Sequence, residues 1–127
     1  MAGRVAVVCT AAALLVSTCG SQSPTTEQAR TADPVAHGES LYETIGCTNC
    51  HAPNSLGQRR APPLDHIGTV AATRRAGMSA DEYIRQSILD PTAYEVPGFE
   101  GAPSRSFDQA LSAADLDALV AYLLSLK

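Results

Sequence analysis

The sequence contains no tryptophan, and only 5% of its 127 residues are aromatic although 45% are hydrophobic. Aromatic side chains bury the largest apolar areas, so a core built only from the side chains of this chain is expected to be thin. Basic residues are also scarce, because Lys and Arg number 9 against 13 Asp and Glu, for a net charge of -4. Nucleic-acid binding is therefore disfavoured, since neutralising phosphates needs a net basic surface or a basic stripe.

The sequence also lacks the alternating apolar and polar pattern of β-strands, and it has no internal repeat. Apolar residues instead recur at helical spacing, which predicts helices over about 34–45 and 80–89, a last helix that runs from a cap at Ser112 to about residue 126, and a short helix near 69–74. The three longer segments begin at N-cap signals: Asp33 before Pro34, Ser79 with Glu82, and Ser112 with Asp115. Gly46 stands where a left-handed cap should end the first helix. The predicted fold is all-α with long loops.

The first 18 residues are interpreted as a signal peptide, because a short positive region is followed by an apolar run at 5–16 that is too short to span a bilayer. The run ends in Val16-Ser17-Thr18-Cys19-Gly20, which resembles a bacterial lipobox. That resemblance implies lipid on Cys19 as the new N-terminus, although Thr18 stands where Gly, Ala or Ser is usual. An ordinary signal peptide cut nearby is the alternative.

Residues 19–33 are expected to form a flexible tether, because they are rich in Ser, Gln, Thr, Pro and Glu and poor in large apolar side chains. The predicted organisation is therefore a lipoprotein-type signal peptide at 1–18, the tether at 19–33 and one domain at 34–127. The expected location is the extracytoplasmic or periplasmic face of a membrane. With Cys9 removed and Cys19 lipidated, Cys47 and Cys50 are the cysteines left, so a long-range disulfide framework is excluded.

The remaining cysteines belong to the motif Cys47-Thr48-Asn49-Cys50-His51. Two thiols one helical turn apart can form thioethers with both vinyl groups of a haem, while the histidine that follows faces the iron. The motif predicts one covalently attached haem c, with His51 as the iron ligand. A buried macrocycle would also supply the core volume that the side chains lack.

Three other interpretations use the same residues. A redox dithiol of the thioredoxin type needs a βαβ setting, which the pattern does not provide. A zinc site needs two further ligands, for which His37 and His66 are the candidates, although His37 is expected to be solvated. A disulfide between Cys47 and Cys50 would close a very small ring with little entropic effect.

From about residue 38 to 127 the chain resembles class I cytochrome c. Gly38 and Tyr42 match the first helix of that family, and Leu119 and Tyr122 match the closing helix that crosses it. The resemblance implies an all-α fold of three main helices with long loops around one covalently bound haem. It also implies one-electron transfer to or from a redox partner protein, for which a membrane respiratory complex is the candidate.

Pro62 and Leu64 match a Pro-x-Leu step that follows the haem motif in the same family. The resemblance implies that the Pro62 carbonyl accepts the Nδ1 hydrogen of His51, which fixes the tautomer of the ligand. Leu64, with Ile67, would then lie against the porphyrin, although plain core packing explains both residues equally well.

The sequence departs from the family at the distal ligand, which is usually a methionine before the last helix. Ala102-Pro103 stands where Met-Pro is expected, and the methionine that remains besides Met1 is Met78, far ahead of that loop. Met78 is interpreted as packing or surface, and His66 as a residue of the proximal loop. The sixth ligand could therefore be either of these, water or nothing. A ligand-binding or sensor haem is the alternative to an electron carrier. No acid-base pair or activated nucleophile is evident, so an enzyme is not indicated.

Most of the basic residues that remain after the predicted signal peptide is removed fall in one stretch of sequence. They could rim the haem edge and steer an acidic partner, but a solvated face is the preferred interpretation. These residues are Arg59, Arg60, Arg74, Arg75 and Arg85.

Overall fold

The structure is a computed structural model, and it describes residues 33–127. The predicted signal peptide, Cys19 and residues 20–32 of the predicted tether lie outside the described residues. Residues 33–127 form five helices and no strand, which confirms the all-α prediction. The helices are α1 (Pro34–Thr44), α2 (Thr48–His51), α3 (Ile67–Arg74), α4 (Ala80–Leu89) and α5 (Ala113–Ser125).

The first helix begins at the predicted Pro34 and ends at Thr44, one residue before the predicted end. The Asp33 side chain accepts a hydrogen bond from the Ala36 amide, and Pro34 occupies the first turn, where its missing N–H is not needed. Ile45 caps the C-terminus, and Gly46 follows with a φ of 84°. This left-handed residue turns the chain directly into α2, a single turn that contains most of the cysteine motif.

The two later long helices begin with serine caps. Ser79 accepts a hydrogen bond from the Glu82 amide, and the Glu82 carboxylate accepts one from the Ser79 amide, which completes the predicted capping box. Ser112 likewise accepts from the Asp115 amide. These bonds satisfy backbone donors that have no partner inside the helix, and they explain why both helices begin where they do.

The crossing of α1 and α5 depends on a glycine. Gly38 is buried, and a Cβ atom at this position would clash with the Ala118 carbonyl and lie 2.7 Å from the Tyr122 Cβ. The rings of Tyr42 and Tyr122 pack beside this contact with their centroids 5.4 Å apart. Only a residue without a side chain allows the two helices to approach this closely.

His37 lies at the same crossing, and the expectation that it is solvated is wrong. Its side chain is 14% exposed, and its Nε2 atom lies 2.8 Å from the Asp115 Oδ1 atom on α5. An imidazole at an interhelical contact can be covered because the carboxylate supplies its hydrogen-bond partner.

The other face of α5 packs against α3 and α4, which also pack against each other. The buried cluster between these helices consists of Ile67, Ala71, Tyr83, Ile84, Val120 and Leu123. The helix α5 therefore stands between α1 on one side and the α3–α4 pair on the other. Within 33–127, no helix has the length and apolar character needed to cross a bilayer.

Candidate functional site

A cavity of about 520 Å³ opens among the helices, and all five contribute residues to its lining. This volume falls within the range of about 300 to 1,000 Å³ that is usual for small-molecule and cofactor sites. Its walls are mainly apolar and include Ile84, Ile88, Leu119 and Leu123. The cavity is therefore suited to a large and mostly hydrophobic group.

Both motif cysteines line this cavity, and both are free thiols that are partly buried. Cys47 is the N-cap of α2, and its carbonyl accepts hydrogen bonds from the amides of Cys50 and His51 at 3.2 and 3.0 Å. The single turn of α2 thus places the Cys47 and Cys50 thiols and the His51 imidazole in the lining of the same cavity. Burial raises the pKa of the Cys47 thiol, while a backbone hydrogen bond and the charge of Arg105 act in the opposite direction.

The imidazole of His51 is oriented by the Pro62 carbonyl, whose oxygen lies 2.7 Å from Nδ1. The Cys50 carbonyl holds the segment that leads to Pro62, because it accepts hydrogen bonds from the amides of Arg60 and Ala61 at 3.1 Å each. Burial lowers the pKa of His51, and the bond to Pro62 partly opposes this shift. The neutral tautomer with hydrogen on Nδ1 leaves the Nε2 lone pair free to bind a metal ion.

Leu64 and Ile67 line the same cavity, and Ile67 is only 5% exposed. Two thiols, an oriented imidazole and an apolar wall form the donor set that a covalently attached haem requires. The alternative metal site finds no support in the part of the chain that the structure describes, where no three His, Cys, Asp or Glu residues are grouped as metal ligands. The absence of a strand in the same residues removes the βαβ setting of a redox dithiol.

A long loop between α4 and α5 supplies much of the remaining lining. It covers residues 91–107 and is called the closing loop below. It contributes Tyr94, Phe99, Ala102 and Phe107 to the cavity, and it contains no methionine, histidine or lysine. The tip of the closing loop is held by hydrogen bonds within the loop. In one of them, the Glu95 carboxylate accepts a hydrogen bond from the Gly101 amide at 2.9 Å.

A family model for cytochrome c matches residues 35–127 of the chain. The chain belongs to the cytochrome c family. Its fold is accordingly the class I cytochrome c fold, and its cofactor is covalently attached haem c with iron. Domains of this family typically carry electrons and are generally extracytoplasmic. No curated protein and no solved structure matches the chain.

In this cytochrome, the structure brings together Cys47, Cys50, His51, Pro62 and Leu64, all of which line the cavity. The two side chains considered as a sixth ligand are elsewhere. His66 is exposed at the N-cap of α3, and Met78 packs against the hydrophobic core; neither lines the cavity. Ala102 does line it, at the position where the family resemblance leads one to expect methionine.

The basic residues of the cytochrome do not act as one group. Arg59 lies 3.4 Å from Asp65, Arg85 lies 2.6 and 2.7 Å from Asp81 and Asp117, and Arg75 donates to Gln86. Two of the five arginines, Arg59 and Arg85, therefore have their charge compensated by carboxylates, and Arg75 is held by a neutral amide. These separate local contacts favour the solvated-face interpretation over a single steering patch.

Sequence reasoning missed several residues of the cavity wall, among them the polar side chains of Tyr83, Tyr94 and Arg105. Arg74, one of the five basic residues considered for the haem edge, does line the cavity. Tyr83 and Ile84 are both buried on the core side of α4. No local pattern in the sequence distinguishes a tyrosine that packs in the core from one that also faces a cofactor.

Proposed function

We propose that this cytochrome is a one-electron carrier tethered to the extracytoplasmic face of a membrane by lipid on Cys19. Its haem is attached through Cys47 and Cys50, and His51 ligates the iron. The partner is a redox protein such as a membrane oxidase or reductase. The observation that supports this proposal most directly is the 2.7 Å contact between His51 Nδ1 and the Pro62 carbonyl beside two free thiols.

Haem supplies the iron that cycles between the ferric and ferrous states. The chain's own residues retain and orient that group. Thioethers from Cys47 and Cys50 would prevent its loss, and the Pro62 carbonyl keeps the Nδ1 hydrogen of His51 in place, which makes the imidazole a stronger ligand. Leu64 and Ile67 exclude water from this side of the cavity, so the charge of the iron changes in a medium of low polarity.

Replacement of both Cys47 and Cys50 with alanine should abolish covalent haem attachment, and either single variant should keep at most one thioether. Haem-dependent peroxidase staining after denaturing electrophoresis measures the outcome. Cys19→Ser is the matched control, because it replaces another cysteine of the chain without touching the motif. Staining that persists in the double variant would refute the assignment of the attachment site.

The proposed anchor has its own test. Cys19→Ser should release the protein from the membrane fraction while leaving covalent haem intact. Intact-mass analysis of the membrane-extracted native protein should find a diacylglycerol addition at Cys19. If Cys19 is unmodified, the proposed anchor is wrong. The chain would then carry an ordinary cleaved signal peptide and be a soluble extracytoplasmic protein.

A second candidate function is a haem that binds small molecules such as nitric oxide, carbon monoxide or peroxide at its sixth position. The closing loop favours this candidate, because Ala102 lines the cavity and the loop offers no thioether, imidazole or amine. The reduced protein should then be partly high-spin and bind carbon monoxide, and the oxidised protein should lack the near-infrared band of methionine ligation. If the band is present, Met78→Ala should remove it. A low-spin spectrum without the band would indicate His66 or another nitrogen ligand.

A further inference from the structure

Tyr83 has a hydroxyl group for which residues 33–127 provide no partner. Its side chain is 5% exposed and lines the cavity, and no hydrogen bond involves its hydroxyl within those residues. The same part of the chain contains no fully covered side-chain oxygen or nitrogen without a partner, so the hydroxyl is open to some space. The space that Tyr83 lines is the cavity. A phenol turned toward an apolar cavity favours an occupant with a hydrogen-bond acceptor.

Arg74 is a cation at the same wall. It stands at the C-terminus of α3, is partly buried and lines the cavity. Among residues 33–127 it makes no ion pair with a carboxylate, in contrast to Arg59 and Arg85. A partly buried guanidinium without an anion favours an anionic group on the occupant of the cavity.

The two arginines that line the cavity differ in their surroundings. Arg105 donates a hydrogen bond to the Ile45 carbonyl at 3.1 Å, and its charge acts on the nearby Cys47 thiol. Arg74 and Tyr83 belong instead to the α3–α4 pair, which lies across α5 from α1. Besides the two thiols, the cavity lining thus offers one cation and one phenol hydroxyl that have no partner among residues 33–127.

Haem carries groups that match both features of the lining. Its thioethers form at the vinyl edge, and its two carboxylates extend from the opposite edge of the ring. We propose that Arg74 and Tyr83 bind the haem carboxylates, the guanidinium as a charged partner and the phenol as a hydrogen-bond donor. This inference rests on the attachment of haem through Cys47 and Cys50. The other charged side chain of the lining, Glu95, accepts from the Gly101 amide and repels carboxylates.

The first test compares reduction potentials of two holoprotein variants over a range of pH. Arg74→Gln should lower the potential, so that at fixed electrode potential the ratio of reduced to oxidised haem falls roughly tenfold, because an uncompensated carboxylate stabilises ferric iron. Loss of the cation should also raise the pKa of the haem carboxylates. The pH range over which the potential depends on pH should therefore move to higher pH. Arg60→Gln is the control, because Arg60 is exposed, has no carboxylate partner among residues 33–127 and does not line the cavity.

The second test isolates the phenol. Tyr83→Phe keeps the ring and should shift the carboxylate bands in the infrared difference spectrum between oxidised and reduced holoprotein. Tyr122→Phe, at the α1–α5 crossing outside the cavity lining, should leave these bands unchanged. Equal responses in Arg74→Gln and Arg60→Gln, together with unchanged bands in Tyr83→Phe, would overturn the inference. Covalent haem retained in all four variants would leave the proposed function standing in that case, whereas its absence from the native protein would refute the proposed function itself.

Discussion

The two sides of the cavity are built by different means. On the motif side, residues 45–67, the backbone joins the functional residues to one another, since the Cys50 carbonyl holds the segment before Pro62 and Pro62 orients His51. In the closing loop, the tip at residues 95–102 is held by hydrogen bonds among its own residues, such as Glu95 with Gly101. The motif side is therefore constrained by the chemistry of attachment and ligation, whereas the loop tip is constrained mainly by shape. We therefore expect substitutions at the loop tip to alter function while leaving haem attachment intact.

The largest effect is expected at the α1–α5 crossing, because α1 leads directly into the motif side. Gly38→Ala would force α1 away from α5 and should lower the free energy of unfolding by about 3 kcal/mol. Gly98→Ala in the closing loop should lower it by only about 1 kcal/mol, because a Cβ there meets no atom within 4 Å and the cost is that of a φ of 90°. Denaturant unfolding of both holoproteins measures the difference. Equal losses would show that the crossing is not the more constrained region.

The next effect concerns ligand binding. Ala102→Met would add a thioether to the closing loop and should lower the affinity of reduced haem for carbon monoxide tenfold or more, which is about 1.4 kcal/mol. The variant should also gain low-spin character and a higher potential. Ala110→Met is the control, since Ala110 is exposed and outside the cavity lining. Identical carbon monoxide titrations for the two variants would mean that Ala102 does not occupy the ligand position.

A smaller effect should come from a link between the two sides. Arg105 donates to the Ile45 carbonyl and stacks over the Phe107 ring, with its guanidinium carbon 4.6 Å from the ring centroid. Arg105→Ala should cost about 1 kcal/mol of stability and loosen the closing loop. Hydrogen exchange of the loop amides should accelerate while the amides of Arg60 and Ala61 keep their protection. Uniform acceleration would indicate a global effect rather than a link between the loop and the motif side.

The smallest effect is a pH dependence at the cap of α4, the helix that leads into the closing loop. Hydrogen bonds from the Ser79 amide and hydroxyl lower the pKa of Glu82. The stability from this carboxylate is therefore complete above its ordinary pKa and is lost as the pH falls through the lowered value. Glu82→Gln keeps a polar cap without the titration, so the stability difference between the two proteins should shrink on acidification from neutral pH to about pH 3. A difference independent of pH would contradict this assignment.

The helices were predictable because their signals are local. Ser79 with Glu82 marks the start of α4, and the observed bounds Ala80–Leu89 equal the predicted ones. By contrast, α3 starts at Ile67, two residues earlier than expected, because its N-cap His66 makes no side-chain cap bond and so leaves no signal. The burial of His37 was also missed, since its partner Asp115 lies 78 residues away.

The candidate site divides in the same way. Cys47, Cys50 and His51 form one contiguous motif, so their shared position follows from a single helical turn. Arg74 and Tyr83 reach the cavity only because α3 and α4 pack on α5, and no pattern within either helix encodes that meeting. Long-range packing is therefore the part of the site that a single sequence leaves undetermined.

The position of α1 has a mechanical consequence. It is the first helix of the described chain, it begins directly after Asp33, and its main contact is with α5. Tension applied through the N-terminal side of the domain would therefore load the α1–α5 crossing in shear before it reached the cavity. The close contact between Gly38 and Ala118 resists sliding of α1 along α5. Any displacement of α1 along its axis would bring a residue with a side chain to the position of Gly38, where there is no room for a Cβ atom. A domain pulled from this end would bear the strain where it is packed most tightly, and the geometry around His51 would be shielded from it.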